Sequence, residues 1–211
     1  MRLTIGGLII ACSALCASAT AQAQNYPHML DRMNEIRQHP GQTADAIAAG
    51  QERAQLCGYC HGRDGNSVRN HIPNLASQNP EYLLKQFHLF ATGERESYVM
   101  EQVGRMLTAD EMVNLSLFFA SQPVTAQTAV SASKLGREKY QNFCFACHGE
   151  QGEGNRDMPR LAGQKKEFLI KALTDFKQGK SARANSPMVK IMRAVDSGDI
   201  EPLADYIAAM P

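Results

Sequence analysis

Two copies of the pentapeptide Cys-x-x-Cys-His constrain this chain more than any other feature. The first copy runs from Cys57 to His61 and the second from Cys144 to His148. Residues three and four positions apart share a face of a helix, so each copy can place both sulfurs and the imidazole on one side. A glycine follows each histidine, and glycine ends a helix at little energetic cost. The fold must therefore present two such clusters, each where a glycine ends a helix.

This spacing is the one used for the covalent attachment of haem c. We expect each pair of thiols to form thioethers with haem vinyl groups and each histidine to bind the iron. The predicted attachment residues are Cys57, Cys60, His61, Cys144, Cys147 and His148. The alternatives are a four-thiolate zinc site built from both pairs and a thioredoxin-type redox motif. Neither explains why a histidine directly follows each pair.

The similarity between the two halves extends well beyond the pentapeptide. The sequence Pro-x-Leu-Ala-x-Gln begins at Pro73 and again at Pro159, and Phe-x-x-Gly begins at Phe90 and again at Phe176. In each half an arginine then precedes a methionine by five residues. Because the order of these elements is preserved, the chain contains two copies of one domain.

The N-terminus has the features of a secretory signal peptide. A positive residue, Arg2, precedes an apolar stretch over residues 3–15, and a small-residue cleavage pattern ends at Ala23. The stretch is shorter than the ~20 residues that span a bilayer, which argues against a retained anchor. A lipobox ending at Cys12 is the second interpretation. We expect cleavage after Ala23 and a periplasmic mature protein, with peripheral membrane association left open.

Helical periodicity predicts an all-α fold, with no convincing alternating strand pattern. The predicted helices cover residues 29–37, 44–57, 80–91, 112–120, 134–147, 165–176 and 198–210. The predicted organisation is a signal peptide at 1–23, an N-terminal extension at 24–44, a first domain at 45–122, a linker at 123–132 and a second domain at 133–211.

The sixth iron ligand is predicted from the second half. No histidine follows His148, so its domain cannot supply a second one. Met188 lies 40 residues after His148, and Met100 lies 39 residues after His61. A histidine–methionine pair is typical of electron-carrying cytochromes and raises the reduction potential. The predicted metal ligands are His61, Met100, His148 and Met188. In the first half, His71 and His88 are the alternatives to Met100. The methionines assigned to core packing are Met106, Met112, Met192 and Met210.

Taken together, these motifs resemble those of the dihaem class I cytochromes c, specifically the cytochrome c4 family. The resemblance covers about residues 48–210. It implies two tandem class I cytochrome c haem domains packed together, carrying electrons in the periplasm, often towards a terminal oxidase. It also implies that the carbonyls of Pro73 and Pro159 hold the rings of the motif histidines. Two departures are the N-terminal extension and Val99 before Met100, where the second half has Pro187, so the two sixth-ligand loops are expected to differ in rigidity.

The resulting functional prediction is an electron carrier without catalytic activity of its own. Its expected partners are redox proteins such as a terminal oxidase or a quinol or substrate dehydrogenase. The first alternative is a haem subunit of a periplasmic dehydrogenase complex, with the extension as a docking arm. The second is an enzyme or gas sensor with one open haem.

Charge separates the two halves. The formal charge of +1 argues against nucleic-acid binding. Residues 24–123 have a balance of −3 and residues 124–211 a balance of +3. We therefore expect two unlike docking faces, with Lys165 and Lys166 on the basic one.

Overall fold

The computed structural model describes residues 25–125, 133–180, 183 and 185–211. The predicted signal peptide, the Cys12 lipobox and linker residues 126–132 lie outside the described residues. Throughout the described part the secondary structure is helical and contains no strand, which confirms the all-α prediction.

The first half forms helices whose starts are encoded locally. Proline occupies the first turn of three of them, where its missing N–H costs nothing. Thr108 and Glu111 form a capping box at a fourth, with both hydrogen bonds present. The helices are α1 (Tyr26–Arg37), α2 (Pro40–Arg53), α3 (Gly58–His61), α4 (Pro80–Thr92), α5 (Tyr98–Met106) and α6 (Ala109–Ser121).

The part of the second half that the structure describes repeats this order without an equivalent of α1. Its helices are α7 (Lys134–Phe143), α8 (Phe145–His148), α9 (Lys166–Lys177), α10 (Pro187–Arg193) and α11 (Ile200–Ala208), with a 3-10 turn at Ser197–Asp199 before the last. The helix predicted over 134–147 is divided at Cys144, which ends α7 and begins α8. Helices α5 and α10 were not predicted.

Two hydrophobic cores lie on either side of the predicted linker. The first contains the apolar side of α1, where Met29, Met33 and Ile36 are at most 5% exposed. Helix α1 contacts α2, α4 and α6. The extension is therefore part of the packed first domain, and its apolar face is already covered.

In both domains the helix that precedes the motif crosses the last helix at a glycine. A Cβ at Gly50 would overlap the backbone carbonyl of Asn114, and one at Gly136 would overlap that of Pro202. The crossings bring α2 against α6 and α7 against α11. Each motif follows directly from such a helix, so this packing fixes where the motif begins.

The two domains contact each other through the loops and helices that follow the motifs. The backbone N–H of Phe168 donates to the carbonyl of Asn70 at 3.1 Å. The guanidinium of Arg183 donates to the hydroxyl of Tyr82 at 3.0 Å. The contact therefore lies on the side of each domain that carries the Pro-x-Leu-Ala-x-Gln element.

Candidate haem-binding sites

Each motif occupies a single helical turn, α3 or α8, that ends at a left-handed glycine. The N–H of His61 donates to the carbonyl of Cys57 at 2.9 Å, and the N–H of His148 donates to that of Cys144 at 3.0 Å. Gly62 has φ 79° and Gly149 has φ 84°. A side chain is strained in that region, so glycine lets the chain leave the motif immediately after the histidine.

Both motif histidines are held by a proline carbonyl, as the resemblance implied. Nδ1 of His61 lies 2.8 Å from the carbonyl oxygen of Pro73. Nδ1 of His148 lies 3.0 Å from that of Pro159. Burial lowers the pKa of both imidazoles, although each hydrogen bond opposes the shift. The rings are therefore neutral near pH 7, with Nδ1 engaged and Nε2 left as the atom that can bind a metal.

The four motif cysteines are free thiols arranged as two separate pairs. Burial raises the pKa of the Cys57 thiol and raises that of Cys144 to about 12. A thioredoxin-type motif needs a thiol whose pKa is lowered, so these environments do not favour that chemistry. Among the described residues, which include the four motif cysteines, no group of three or more His, Cys, Asp or Glu side chains could hold a metal ion.

The two predicted methionine ligands lie in the first turns of helices, not in loops. Met100 is in α5 and Met188 is in α10. Ser97 Oγ accepts the backbone N–H of Met100 at 3.3 Å, and Ser186 Oγ accepts that of Met188 at the same distance. Both methionines are partly buried against the core of their own domain.

The alternative ligands of the first half have other surroundings. His71 is exposed in the loop after α3. His88 lies on α4, and its ring centroid is 5.9 Å from that of Tyr26 on α1. Met192, assigned to core packing, is fully buried in the second core.

The Phe-x-x-Gly and arginine elements form one repeated contact. The guanidinium of Arg95 lies 4.5 Å from the ring centroid of Phe90, and that of Arg183 lies 4.6 Å from that of Phe176. Arg95 donates to Gln86 Oε1 at 2.6 Å and makes no ion pair with the described carboxylates. Burial lowers its pKa to about 10. A partly buried cation that forms no ion pair with the described carboxylates fits a site for an anionic group, and haem carries two propionates.

These residues fit haem c. Each domain offers two free thiols and a neutral imidazole on one short helix, with a methionine held at the start of another. Two tandem all-helical domains of this kind define a dihaem c-type cytochrome.

Comparison with known proteins gives the family. The Cytochrome c family model matches residues 133–211. Cytochrome c4 of Azotobacter vinelandii is 34% identical over 191 residues, which are 79% of this chain and 90% of that protein. The crystal structure of reduced recombinant cytochrome c4 from Pseudomonas stutzeri matches with a TM-score of 0.72 at 29% identity, over 78% of this chain and 98% of that one. The chain belongs to the cytochrome c4 family, carries covalently bound haem c and is an electron-transfer protein, not an enzyme.

More distant relatives have names that refer to redox assemblies. A thiosulfate dehydrogenase electron acceptor of Thiomonas intermedia is 26% identical over 181 residues, which are 78% of this chain and 82% of that protein. A cbb3-type cytochrome c oxidase subunit FixP of Sinorhizobium medicae is 26% identical over 200 residues, or 83% of this chain and 68% of that one.

Sequence reasoning missed several residues that shape these sites. Ser97 and Ser186 were not singled out, although a serine before a helical turn is a readable capping signal. Gln78 and Gln164 were recognised as repeated, but no role was predicted for them. Both glutamines contact the opposite domain, which a sequence comparison of the two halves cannot reveal.

Proposed function

We propose that this chain is a periplasmic electron carrier between respiratory redox partners. The observation that carries the proposal is the repeated site: two histidines, each bound to a proline carbonyl and each directly after a free thiol pair. Their domains are in contact, so an electron can be passed within one molecule. The transfer is outer-sphere, with no substrate bound at iron.

His61 with Met100 would bind the iron of the first haem, and His148 with Met188 would bind that of the second. The haem supplies reversible one-electron chemistry at its iron. The proline carbonyls orient the imidazoles and increase their basicity, since a metal-bound histidine is tuned by the partner of its other nitrogen. The serine caps hold the methionine backbones. The apolar cores exclude water, which disfavours the additional charge of the ferric state.

The periplasmic location rests on the N-terminal sequence and on family membership. Sec-type export would remove residues 1–23 and leave Gln24 as the first residue. The structure contains no helix, among the residues it describes, that is long and apolar enough to cross a membrane. Cell fractionation followed by N-terminal sequencing tests both points. A mature protein that begins at Cys12 and carries lipid would support the lipobox interpretation instead.

The relatives support two kinds of partner. One is named for accepting electrons from a thiosulfate dehydrogenase and another as a subunit of an oxidase. We propose that this chain likewise receives electrons from a quinol or substrate dehydrogenase and passes them to an oxidase. The alternative, a fixed haem subunit of a periplasmic dehydrogenase complex, predicts a different behaviour on purification.

Purification from the native periplasm separates these two possibilities. A free carrier elutes alone and is both reduced by a donor fraction and reoxidised by an oxidase fraction. A fixed subunit elutes with a dehydrogenase at constant stoichiometry. Rapid binding of carbon monoxide to the reduced protein as isolated would contradict six-coordinate irons and support the open-haem alternative.

A further inference from the structure

The contact between the domains contains two reciprocal glutamine contacts. Gln78 and Gln164 are equivalent in the repeat, and each is 7% exposed. Gln164 Oε1 accepts the N–H of Asn74 at 2.7 Å, and its Nε2 donates to the carbonyl of Asn74 at 3.0 Å. Gln78 Oε1 accepts the N–H of Arg160 at 2.7 Å, and its Nε2 donates to the carbonyl of Arg160 at 2.9 Å. Each glutamine therefore binds the backbone of the other domain through both ends of its amide.

The bound backbone is the peptide group that holds the proximal histidine. The N–H of Asn74 and the carbonyl of Pro73 belong to one peptide group, and that carbonyl lies 2.8 Å from Nδ1 of His61. A continuous hydrogen-bonded chain thus runs from Gln164 through this peptide to the ring.

The equivalent chain runs in the opposite direction. It starts at Gln78, passes through the peptide between Pro159 and Arg160, and ends at His148, with the last contact at 3.0 Å. The histidine of each domain is thereby connected to a glutamine of the other domain.

Each glutamine side chain is also hydrogen-bonded to the backbone of its own domain. Gln78 Oε1 also accepts the N–H of Asn79 at 3.0 Å, and Gln164 Oε1 accepts that of Lys165 at 2.8 Å. The residue before each glutamine is left-handed, with φ 55° at Ser77 and 69° at Gly163. This backbone is unfavourable for serine, so the packed contact must hold the turn.

We propose that Gln78 and Gln164 are positioning residues that tune the haem of the opposite domain. Hydrogen bonds in a chain polarise one another, so an acceptor on the peptide N–H makes its carbonyl a better acceptor for the imidazole N–H. A more basic imidazole stabilises ferric iron and lowers the reduction potential. The inference rests on the proposed axial roles of the two histidines.

The test compares Gln78→Leu and Gln164→Leu in the dihaem protein. The readouts are the Nδ1–H proton resonance of each proximal histidine in the reduced state and the reduction potential of each haem, both followed by NMR. Gln78→Leu should move the His148 resonance upfield and raise the potential of the second haem more than that of the first. Gln164→Leu should do the same to His61 and the first haem.

A matched control and a second variant make the test specific. Asn79→Ala removes hydrogen bonds to the carbonyls of Glu153 and Met158 in the same interface, at 3.3 and 3.0 Å, without touching the peptide bound by Gln78. It should leave the His148 resonance in place. Gln78→Glu keeps an acceptor and, as a carboxylate, polarises the peptide more, so it should shift the His148 resonance downfield and lower the second potential.

The outcomes separate this inference from the proposed ligation. An effect confined to the mutated glutamine's own domain would overturn the inference, as would equal shifts in Asn79→Ala and Gln78→Leu. Shifts of the same sign in Gln78→Leu and Gln78→Glu would also overturn it, because they would indicate a loosened interface. If the wild-type imidazole resonances lack the ring-current shifts of iron-bound histidines, the ligation itself is wrong.

Discussion

Single residues determine which atoms are available to each iron. The proline carbonyls occupy Nδ1 of His61 and His148 and leave Nε2 as the ring atom that can bind iron. The serine caps place Met100 and Met188 at fixed positions in a first helical turn. Ligation by these methionines is the residue-scale claim that mutation can test.

Met188→Ala should open the second iron to carbon monoxide or cyanide and lower its reduction potential, because the thioether ligand is lost. Met100→Ala should have the same effect on the first iron. The measurements are ligand-binding spectra and redox titrations of the purified dihaem protein.

Met192→Ala is the matched control. Met192 lies on the same helix as Met188, one turn further along, and it is fully buried. It should lower the free energy of unfolding by about 2–5 kcal/mol without opening either iron. Opening of an iron by Met192→Ala or His88→Ala would show that the methionine assignment is wrong at that site.

At this scale the sequence predicted the attachment residues, since their chemistry is local. It also predicted the two proline carbonyls through a family resemblance. The glutamine contacts could not be predicted, because they depend on how the two domains dock. A repeat identifies Gln78 and Gln164 as equivalent, but not that each one faces the other domain.

At the scale of elements, a glycine contact at the crossing of α2 and α6 fixes the start of the first motif. Gly50→Ala should lower the free energy of unfolding by about 1–3 kcal/mol, because the new methyl group overlaps the Asn114 carbonyl. Gly41→Ala, on the same helix with nothing within 4 Å, should be neutral or stabilising by up to about 1 kcal/mol. Thermal unfolding of the two variants measures the difference, and equal effects would contradict the crossing as a constraint.

The capping box of α6 should make the stability of the first domain depend on pH. The hydrogen bond from the Thr108 backbone N–H is the main cause that lowers the pKa of Glu111, and the Arg53 guanidinium lowers it further. Arg53 Nε lies 2.6 Å from the Glu111 carboxylate. The stabilisation is therefore present above the unfolded pKa of about 4.3 and is lost as pH falls through the lower folded value.

Urea unfolding of the wild type and of Glu111→Gln between neutral pH and about pH 3 tests this dependence. The free energy of unfolding should fall less between neutral and acid pH in Glu111→Gln than in the wild type. Asp110→Asn is the control, because Asp110 is exposed in the same first turn and makes no ion pair with the described residues. If Glu111→Gln has the same pH dependence of the free energy of unfolding as the wild type, Glu111 is not its source.

Helix prediction succeeded where a proline or a capping box marked the start of the helix, or where apolar residues recurred at helical spacing over several turns. It failed at α5 and α10, which have only nine and seven residues. Short helices carry few periods of the pattern, and their first turns depend on Ser97 and Ser186. It also joined α7 to α8, because the helix formers continue through Cys144 although its backbone departs from regular helix geometry.

For the whole molecule, the structure shows which basic residues of the second domain are free to form the predicted docking face. Lys166 is paired with Glu201 at 2.9 Å and Asp205 at 2.7 Å, so its charge is partly neutralised within the domain. Lys190 and Arg193 are exposed on α10, the helix of Met188. They are better candidates than Lys166 for meeting an acidic partner.

Electron transfer with an acidic partner should slow as ionic strength rises, since salt screens charges over roughly 8–10 Å. Lys190→Glu should reduce the association rate more than Arg32→Glu on the first domain. Stopped-flow kinetics at several salt concentrations measure both effects. A rate that does not depend on salt, or equal losses from the two reversals, would indicate that these lysines and arginines are only solvated.

The central claim is that each half of the chain holds its own haem through its own motif. Its most direct test is mass spectrometry of the mature protein after denaturation and proteolysis. We expect one haem on the peptide that contains Cys57 and Cys60 and one on the peptide that contains Cys144 and Cys147. A peptide that instead carries free thiols, a disulfide or zinc would contradict it.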